Sequence, residues 1–275
     1  MSSEATSSPT TATDTNNTSD AIPPSSSAAS PVTGRAYPWH TGIVATTFWV
    51  GELFDANRAD GSQICSTYDT NWAYHWSGVD HGTVSADASG CPGSIIGGCD
   101  GVPGVNNRCA TEPRTSANGY YPTGVTPKEN PFYLDVPFDD LNDPAAYAQR
   151  CRAIPWADDA EFGGHCGDAG FSYMKNRWVR LVGPDGNTCY GQIEDAGPSH
   201  DDLYHDTDYV FGAIDPRPTQ MQFNNAGVDV SPALNGCLGF AEIDGETDLV
   251  SWQFVDGSDV PPGPWTAIVT TSGVS

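Results

Sequence analysis

A mainly β fold with long loops, a few short helices and disulfide cross-links is what this sequence predicts. Three observations carry that expectation. Short runs rich in Val, Ile, Thr and aromatic residues recur along the chain, 30 glycines and 22 prolines punctuate its 275 residues, and eight cysteines fall at loop-like spacings.

Residues 1 to 33 hold 20 Ser, Thr or Pro, no aromatic residue, and overlapping acceptor sequons at Asn16 and Asn17. Such a composition buries too little apolar surface to fold, so residues 1–35 are expected to be a disordered stalk and residues 36–275 a single domain. The start MSSEATSSPTT lacks the basic and apolar regions of a signal peptide. No run approaches the roughly 18 apolar residues a membrane span needs. The expectation is a mature extracellular chain whose leader has been removed, tethered to a surface through the stalk.

The first strand is TGIVATTFWV, Thr41 to Val50, a β-branched and aromatic run. The next 70 residues show no periodicity and carry four cysteines, as in GSIIGGCDGVPGVNNRC, so they read as a loop excursion within an insertion at about 51–175. Those glycines are not a phosphate loop, because no Gly-Lys-Ser/Thr follows them. The run FYLDVPFDDLND holds four aspartates, read as a turn and helix cap or as calcium ligands. A helix starts at Asp143-Pro144, with an acid at the N-cap, proline at the first helical position and PAAYAQRCRA behind them.

NRWVRLVGPDGNTCYGQIEDAGP reads as a hairpin, in which Trp178, Arg180 and Val182 alternate with Val179 and Leu181 before the turn GPDG. The returning strand puts Cys189, Gly191, Ile193 and Asp195 on one face, where a carboxylate needs a task or a partner. After a loop rich in Asp, His and Tyr, AGVDVSPALNGCLGF sets Asp229 between two valines and opens a short helix, with Ser231 as N-cap and Asn235-Gly236 as its stop. DLVSWQFVD is the last strand, and no second module is expected after it.

The eight cysteines are Cys65, Cys91, Cys99, Cys109, Cys151, Cys166, Cys189 and Cys237; without a CxxC pair they favour disulfides in an oxidising compartment over zinc. Cys151 with Cys166 would close a short loop, and Cys189 with Cys237 would tie the hairpin to the helix. The charge excludes one partner class. There are 35 acidic against 11 basic residues, and outside the stalk 32 acids remain against the same 11. A chain so acidic repels phosphate backbones, so a nucleic-acid partner is not expected. No metal or cofactor is expected.

TGIVATTFW, VRLVGPDGNTCYGQIEDAGP, GVDVSPALNGCLGF and VSWQFV together resemble the six-stranded double-psi β-barrel of expansins, rare lipoprotein A-like proteins, family 45 glycoside hydrolases and membrane-bound lytic transglycosylases. The likeness covers about Thr41–Val50 and Trp178–Asp256. It implies a polysaccharide-active protein acting on a neutral β-glucan or cell-wall glycan, with Asp229 as the essential acid and Asp195 beside it in one open groove. The sequence departs from family 45 at Val50, where those hydrolases carry their general base. An inverting hydrolase needs two carboxyl groups roughly 6.5–9.5 Å apart. Glu52, Asp55 and the loop acids Asp201, Asp202, Asp206 and Asp208 are the reserve candidates. A lytic transglycosylase needs only one catalytic acid, and an expansin needs no hydrolysis; a structural surface protein is a further reading.

Other residues admit two readings. Asp229 alternatively satisfies backbone amides of the turn that follows it, and Asp195 alternatively bonds loop amides. Trp39, Trp49, Trp72, Tyr74 and Trp76 suit core packing, with Trp49 and Tyr68 chosen as sugar-stacking rings and Thr47 and Tyr190 as further contacts. His200 and His205, with Tyr204, read as a solvated loop before they read as metal ligands.

Overall fold

The computed structural model describes residues 35–52, 64–79, 98–103, 109–199 and 203–275. The expected stalk, apart from Arg35, lies outside them, as do Asp55, Cys91, His200, Asp201 and Asp202. Among the described residues, six strands close a barrel. In order round it come β1 (His40–Thr47), β7 (Val228–Val230), β4 (Tyr133–Asp135), β6 (Thr188–Ile193), β5 (Trp178–Val182) and β8 (Asp248–Phe254), which pairs again with β1. β1 with β7 and β4 with β6 are parallel; the remaining neighbours are antiparallel. A separate ribbon is formed by β2 (Val102–Pro103) and β3 (Cys109–Ala110). Among the described residues no helix is long and apolar enough to cross a membrane.

The alternation in the sequence becomes the barrel interior. Ile43 and Ala45 of β1, Val179 and Leu181 of β5, Val228 and Val230 of β7, and Val250, Trp252 and Phe254 of β8 all join one buried core. The hairpin forms as expected, with Trp178 opposite Gln192 through Val182 opposite Thr188. Its turn closes with the Gly183 N–H on the Asn187 carbonyl at 2.9 Å and with Gly186 in the left-handed region at φ 82°.

Strand β4 lies inside the segment read from sequence as an insertion. It is three residues long and buried throughout, so it offers no alternation to read. Leu134 points into the main core. Tyr133 joins a second core on the other side, packed with Phe48, Val50, Trp72 and Trp76. Trp72 and Trp76 belong to α1 (Trp72–Ser77) and are fully buried, the core role preferred for them.

Helix α2 (Pro144–Ala153) starts as expected, the Asp143 carboxylate accepting from the Ala145 N–H at 2.7 Å and the Ala146 N–H at 3.0 Å. Helix α3 (Thr207–Phe211) lies in the loop before β7. Helix α4 (Pro232–Leu238) is capped by Ser231 but runs through Asn235-Gly236 to Gly239, which takes the left-handed φ of 79°. Gly236 has a packing role instead of a stopping one: a Cβ there would fall 2.2 Å from the Arg114 carbonyl oxygen.

Disulfides join Cys151 to Cys166 and Cys189 to Cys237, both as expected, and Cys99 to Cys109; Cys65 is also disulfide-bonded. Arg150, which directly precedes Cys151, is fully buried, its guanidinium donating to the carbonyls of Asp140, His165, Cys166, Asp168 and Phe171. One side chain thus satisfies the backbone of a loop with little regular structure.

Where β4 pairs with β6, a Cβ on Gly191 would lie 2.6 Å from the Phe132 carbonyl oxygen and 2.8 Å from Leu134 Cδ2. Gly191→Ala is expected to cost about 1–3 kcal/mol in urea unfolding through overpacking. Gly167→Ala, where nothing lies within 4 Å of the added carbon, should cost far less in the same measurement.

Candidate active site

On the barrel's outer surface three neighbouring strands place polar side chains in a row. Thr46 of β1 is the register partner of Asp229 of β7, and Asp229 is the partner of Asp135 of β4. The flanking residues Val228, Val230 and Leu134 point the other way, into the main core, which fixes the outward direction of the two aspartates. Thr46 Oγ1, Asp229 Oδ1 and Asp135 Oδ1 are each buried without a hydrogen-bond partner. Three unsatisfied polar atoms on adjacent strands are costly to the fold and call for an explanation in function.

Asp195, just beyond the end of β6, reaches the same cluster. Its Oδ1 accepts the Thr67 N–H at 2.8 Å and the Ala196 N–H at 2.9 Å. Thr67 is held in turn, its hydroxyl donating to Asp139, and the Asn142 amide donating to the Thr67 carbonyl at 2.8 Å. Asp139 also accepts the N–H groups of Leu141 and Asn142 at 2.9 Å, so Asp139 serves as a turn residue and Asp143 as a cap, as the simpler reading of FYLDVPFDDLND holds, while Asp140 accepts from the Ser172 hydroxyl at 2.6 Å and the Tyr173 N–H at 2.7 Å. Asp135, the first aspartate of that run, is the site residue that sequence reasoning missed. No local signal marks it, since the three-residue strand that carries it is buried throughout.

Burial and mutual repulsion govern the protonation of the cluster. Asp229 is pushed up to about 7, first by burial and then by the charge on Asp195. Burial also pushes Asp195 up to about 7, against the pull of its two backbone N–H donors. Asp135 is raised well above the usual carboxylate range by burial, then by Asp229 and Asp195. Burial raises Glu52 likewise, against the Trp49 N–H, with Asp229 and Asp244 adding repulsion. The environments differ in kind: Asp195 has two donors and the Lys175 charge to support an anion, whereas Asp229 Oδ1 has no donor. The cluster therefore retains protons near neutral pH, with the anion favoured at Asp195 and the acid form at Asp229.

The other expected contacts are distributed differently. Val50 stands in the second core, fully buried, and its N–H donates to the Tyr133 hydroxyl at 3.0 Å. Glu52 comes near Asp229 and its Oε2 accepts the Trp49 N–H at 3.2 Å. Trp49 is half-buried, its indole N–H on the Cys109 carbonyl at 3.3 Å. Thr47 is turned to α4, its hydroxyl accepting from the Asn235 amide at 2.9 Å, which leaves Thr46 as the threonine beside Asp229. Tyr68 is a core residue, 1 % exposed, among Asp139, Asp140 and Asp195. Tyr190 packs on Trp265 with ring centroids 5.1 Å apart, on the outer face of the hairpin under the 263–272 segment. Asp206 accepts from the backbone and side chain of Thr219, and His205 is paired to Asp143 at 2.7 Å.

The carboxylates share one site but not an open groove. Asp135, Asp195 and Asp229 are 3 %, 7 % and 8 % exposed. No protein-family model matches the chain, and no curated protein matches it.

The raised carboxyls make a prediction about stability. Unfolded, Asp195 and Asp229 ionise near 3.8; folded, near 7. Raising the pH between these values ionises the unfolded chain alone, so stability is fully present below about 4 and is lost as pH rises through about 7. Asp100 and Asp140, both pushed up to about 6 by burial, act in the same direction. His40, lowered to about 4 by burial, opposes them as a single group. The urea midpoint should therefore rise when pH falls from 7.5 to 4.5, and Asp229→Asn should reduce that slope. A midpoint that falls over this window, or a slope unchanged by the substitution, contradicts the assignment.

Proposed function

We propose that this chain is a secreted, polysaccharide-active protein of the double-psi barrel type that cleaves a neutral or amino-sugar glycan with Asp229 as general acid. The observation that carries this reading is the Thr46–Asp229–Asp135 row, whose buried polar atoms have no protein partner, beside the hydrogen-bonded carboxylate of Asp195. The closed barrel with its two parallel pairs supports the fold assignment, and the disulfides support an oxidising compartment.

In the proposed reaction the protonated Asp229 gives its proton to the glycosidic oxygen as the bond to the anomeric carbon breaks. Asp135, directly opposite on the neighbouring strand, lies closer than the roughly 6.5–9.5 Å an inverting base requires, because facing Cβ atoms are about 4.5–5.5 Å apart. Asp135 is itself held protonated by burial and by the charges on Asp229 and Asp195, and it is burial and the Asp195 charge that keep the proton on Asp229. Asp195 supplies the anion that supports the positive charge developing on the sugar. With Val50 in an apolar core, the route that needs one acid is favoured: an internal sugar hydroxyl attacks the anomeric carbon and returns its proton to Asp229. The low exposure of all three aspartates favours a second reading, a non-hydrolytic module that binds and loosens glycan.

The test is fragment release from β-glucans, chitin and peptidoglycan, read by mass spectrometry. Wild type should release fragments, and Asp229→Asn should release them about 10²–10⁴-fold more slowly. Products lighter by one water than hydrolysis products identify the internal-hydroxyl route. No release on any substrate removes the enzyme reading, and release that survives the substitution removes Asp229 from the site.

A further inference from the structure

A cleft of about 680 Å³ lies on the outer face of the hairpin, between residues 159–178 and the 256–274 segment. It is separate from the carboxylate row: neither Asp135, Asp195 nor Asp229 lines it. Trp178 and Gln192, cross-strand partners on β5 and β6, both line it, on the face opposite Val179 and Ile193. Trp178 is half-buried, and Phe162 and Phe171 add two further partly exposed rings.

The polar groups narrow the ligand. Two cations line the cleft, but Lys175 is bound to Glu194 and Arg177 to Asp256, each at 2.7 Å; Asp159 is paired to Arg35, also at 2.7 Å, and Glu161 adds a further carboxylate. With its cations neutralised and acids in excess, the cleft does not select anions. Gln192 is fully used: its amide oxygen accepts from Asn130 and Thr270, and its nitrogen donates to the carbonyls of Asn176 and Thr270. Two polar atoms on consecutive residues are not used. Asn176 Oδ1, an acceptor, and Arg177 Nε, a donor, are buried without hydrogen-bond partners, and the Arg177 side chain is only 10 % exposed. Asn176 also takes a left-handed backbone conformation, φ 65°, a kind of departure that concentrates at ligand sites.

An unused acceptor and an unused donor on consecutive lining residues each suit a hydroxyl, which both accepts and donates, and an indole with two phenyl rings matches the apolar face of a pyranose. We infer that this cleft is a binding site for a neutral, hydroxyl-rich ring ligand, an oligosaccharide segment, distinct from the carboxylate site. Its volume falls in the range of about 300–1,000 Å³ typical of small-ligand sites. The choice of saccharide among hydroxyl-rich ligands rests on the glycan reading above; the cleft itself does not depend on Asp229.

The experiment is calorimetric titration of the full chain with cellohexaose, laminarihexaose and chitohexaose. At least one should bind wild type. Trp178→Ala and Asn176→Gly should each weaken binding about tenfold or more, the glycine keeping the left-handed backbone while removing the amide. Asp229→Asn should leave the affinity unchanged. Circular dichroism and the urea midpoint check that each variant is folded. Absence of binding by all three probes at millimolar concentration overturns the cleft, as does binding that folded Trp178→Ala and Asn176→Gly both retain. Binding lost only in Asp229→Asn also overturns it, by placing the ligand at the carboxylates. Binding through the cleft with no glycan cleavage upholds the cleft and removes only the catalytic reading.

Discussion

The constraint on which this site depends is the placing of Asp135 directly opposite Asp229 on paired strands, both nearly buried, with Asp195 close by. Like charges facing one another across a ladder repel, and no Lys, Arg or His among the described residues forms an ion pair with either. Such a pair is tolerated only when it holds a proton. The valines that flank Asp229 and the Leu134 that precedes Asp135 make the alternative impossible, because turning either carboxylate away would turn apolar side chains out of the core.

The surrounding structure serves to hold this arrangement. Short strands alone position it poorly, since β4 and β7 have three residues each. Tyr133 is therefore anchored from outside by the second core, and its hydroxyl donates to Asp100 at 2.7 Å, which the buried Arg114 pairs at 2.5 Å. Beyond β4, Asp139 and Asn142 grip Thr67, whose N–H holds Asp195. The Cys189–Cys237 bond ties β6 to α4, the helix that follows β7. Aspartate after aspartate along FYLDVPFDDLND thus has a separate duty: Asp135 in the cluster, Asp139 in a turn, and Asp143 as a helix cap.

Much of this was legible where a period of two persisted. The hairpin and Asp229 between two valines followed from alternation, as did the caps Asp143 and Ser231 from helix-start chemistry. Asp195, expected on the core face with Cys189 and Ile193, lies past the end of β6 and joins the outward carboxylates instead. What escaped reading was either too short or decided by a distant neighbour. A three-residue strand buried on both faces has no pattern, so Asp135 and its strand were absorbed into a loop. Gly236 resembled a helix stop because the nearness of Arg114, 122 positions earlier in the chain, leaves no trace beside it. Thr46 and Thr47 are indistinguishable by composition; only the register with Asp229 and the Asn235 amide separates them.

Protonation of this cluster near neutral pH is read at the atoms concerned by carboxyl ¹³C chemical shifts of labelled aspartates, followed against pH. Resonances assigned through Asp135→Asn, Asp195→Asn and Asp229→Asn should titrate far above the usual aspartate range. Removing Asp195 should lower the titration of Asp229. Three independent titrations near 4, each unaffected by loss of the others, would contradict this protonation.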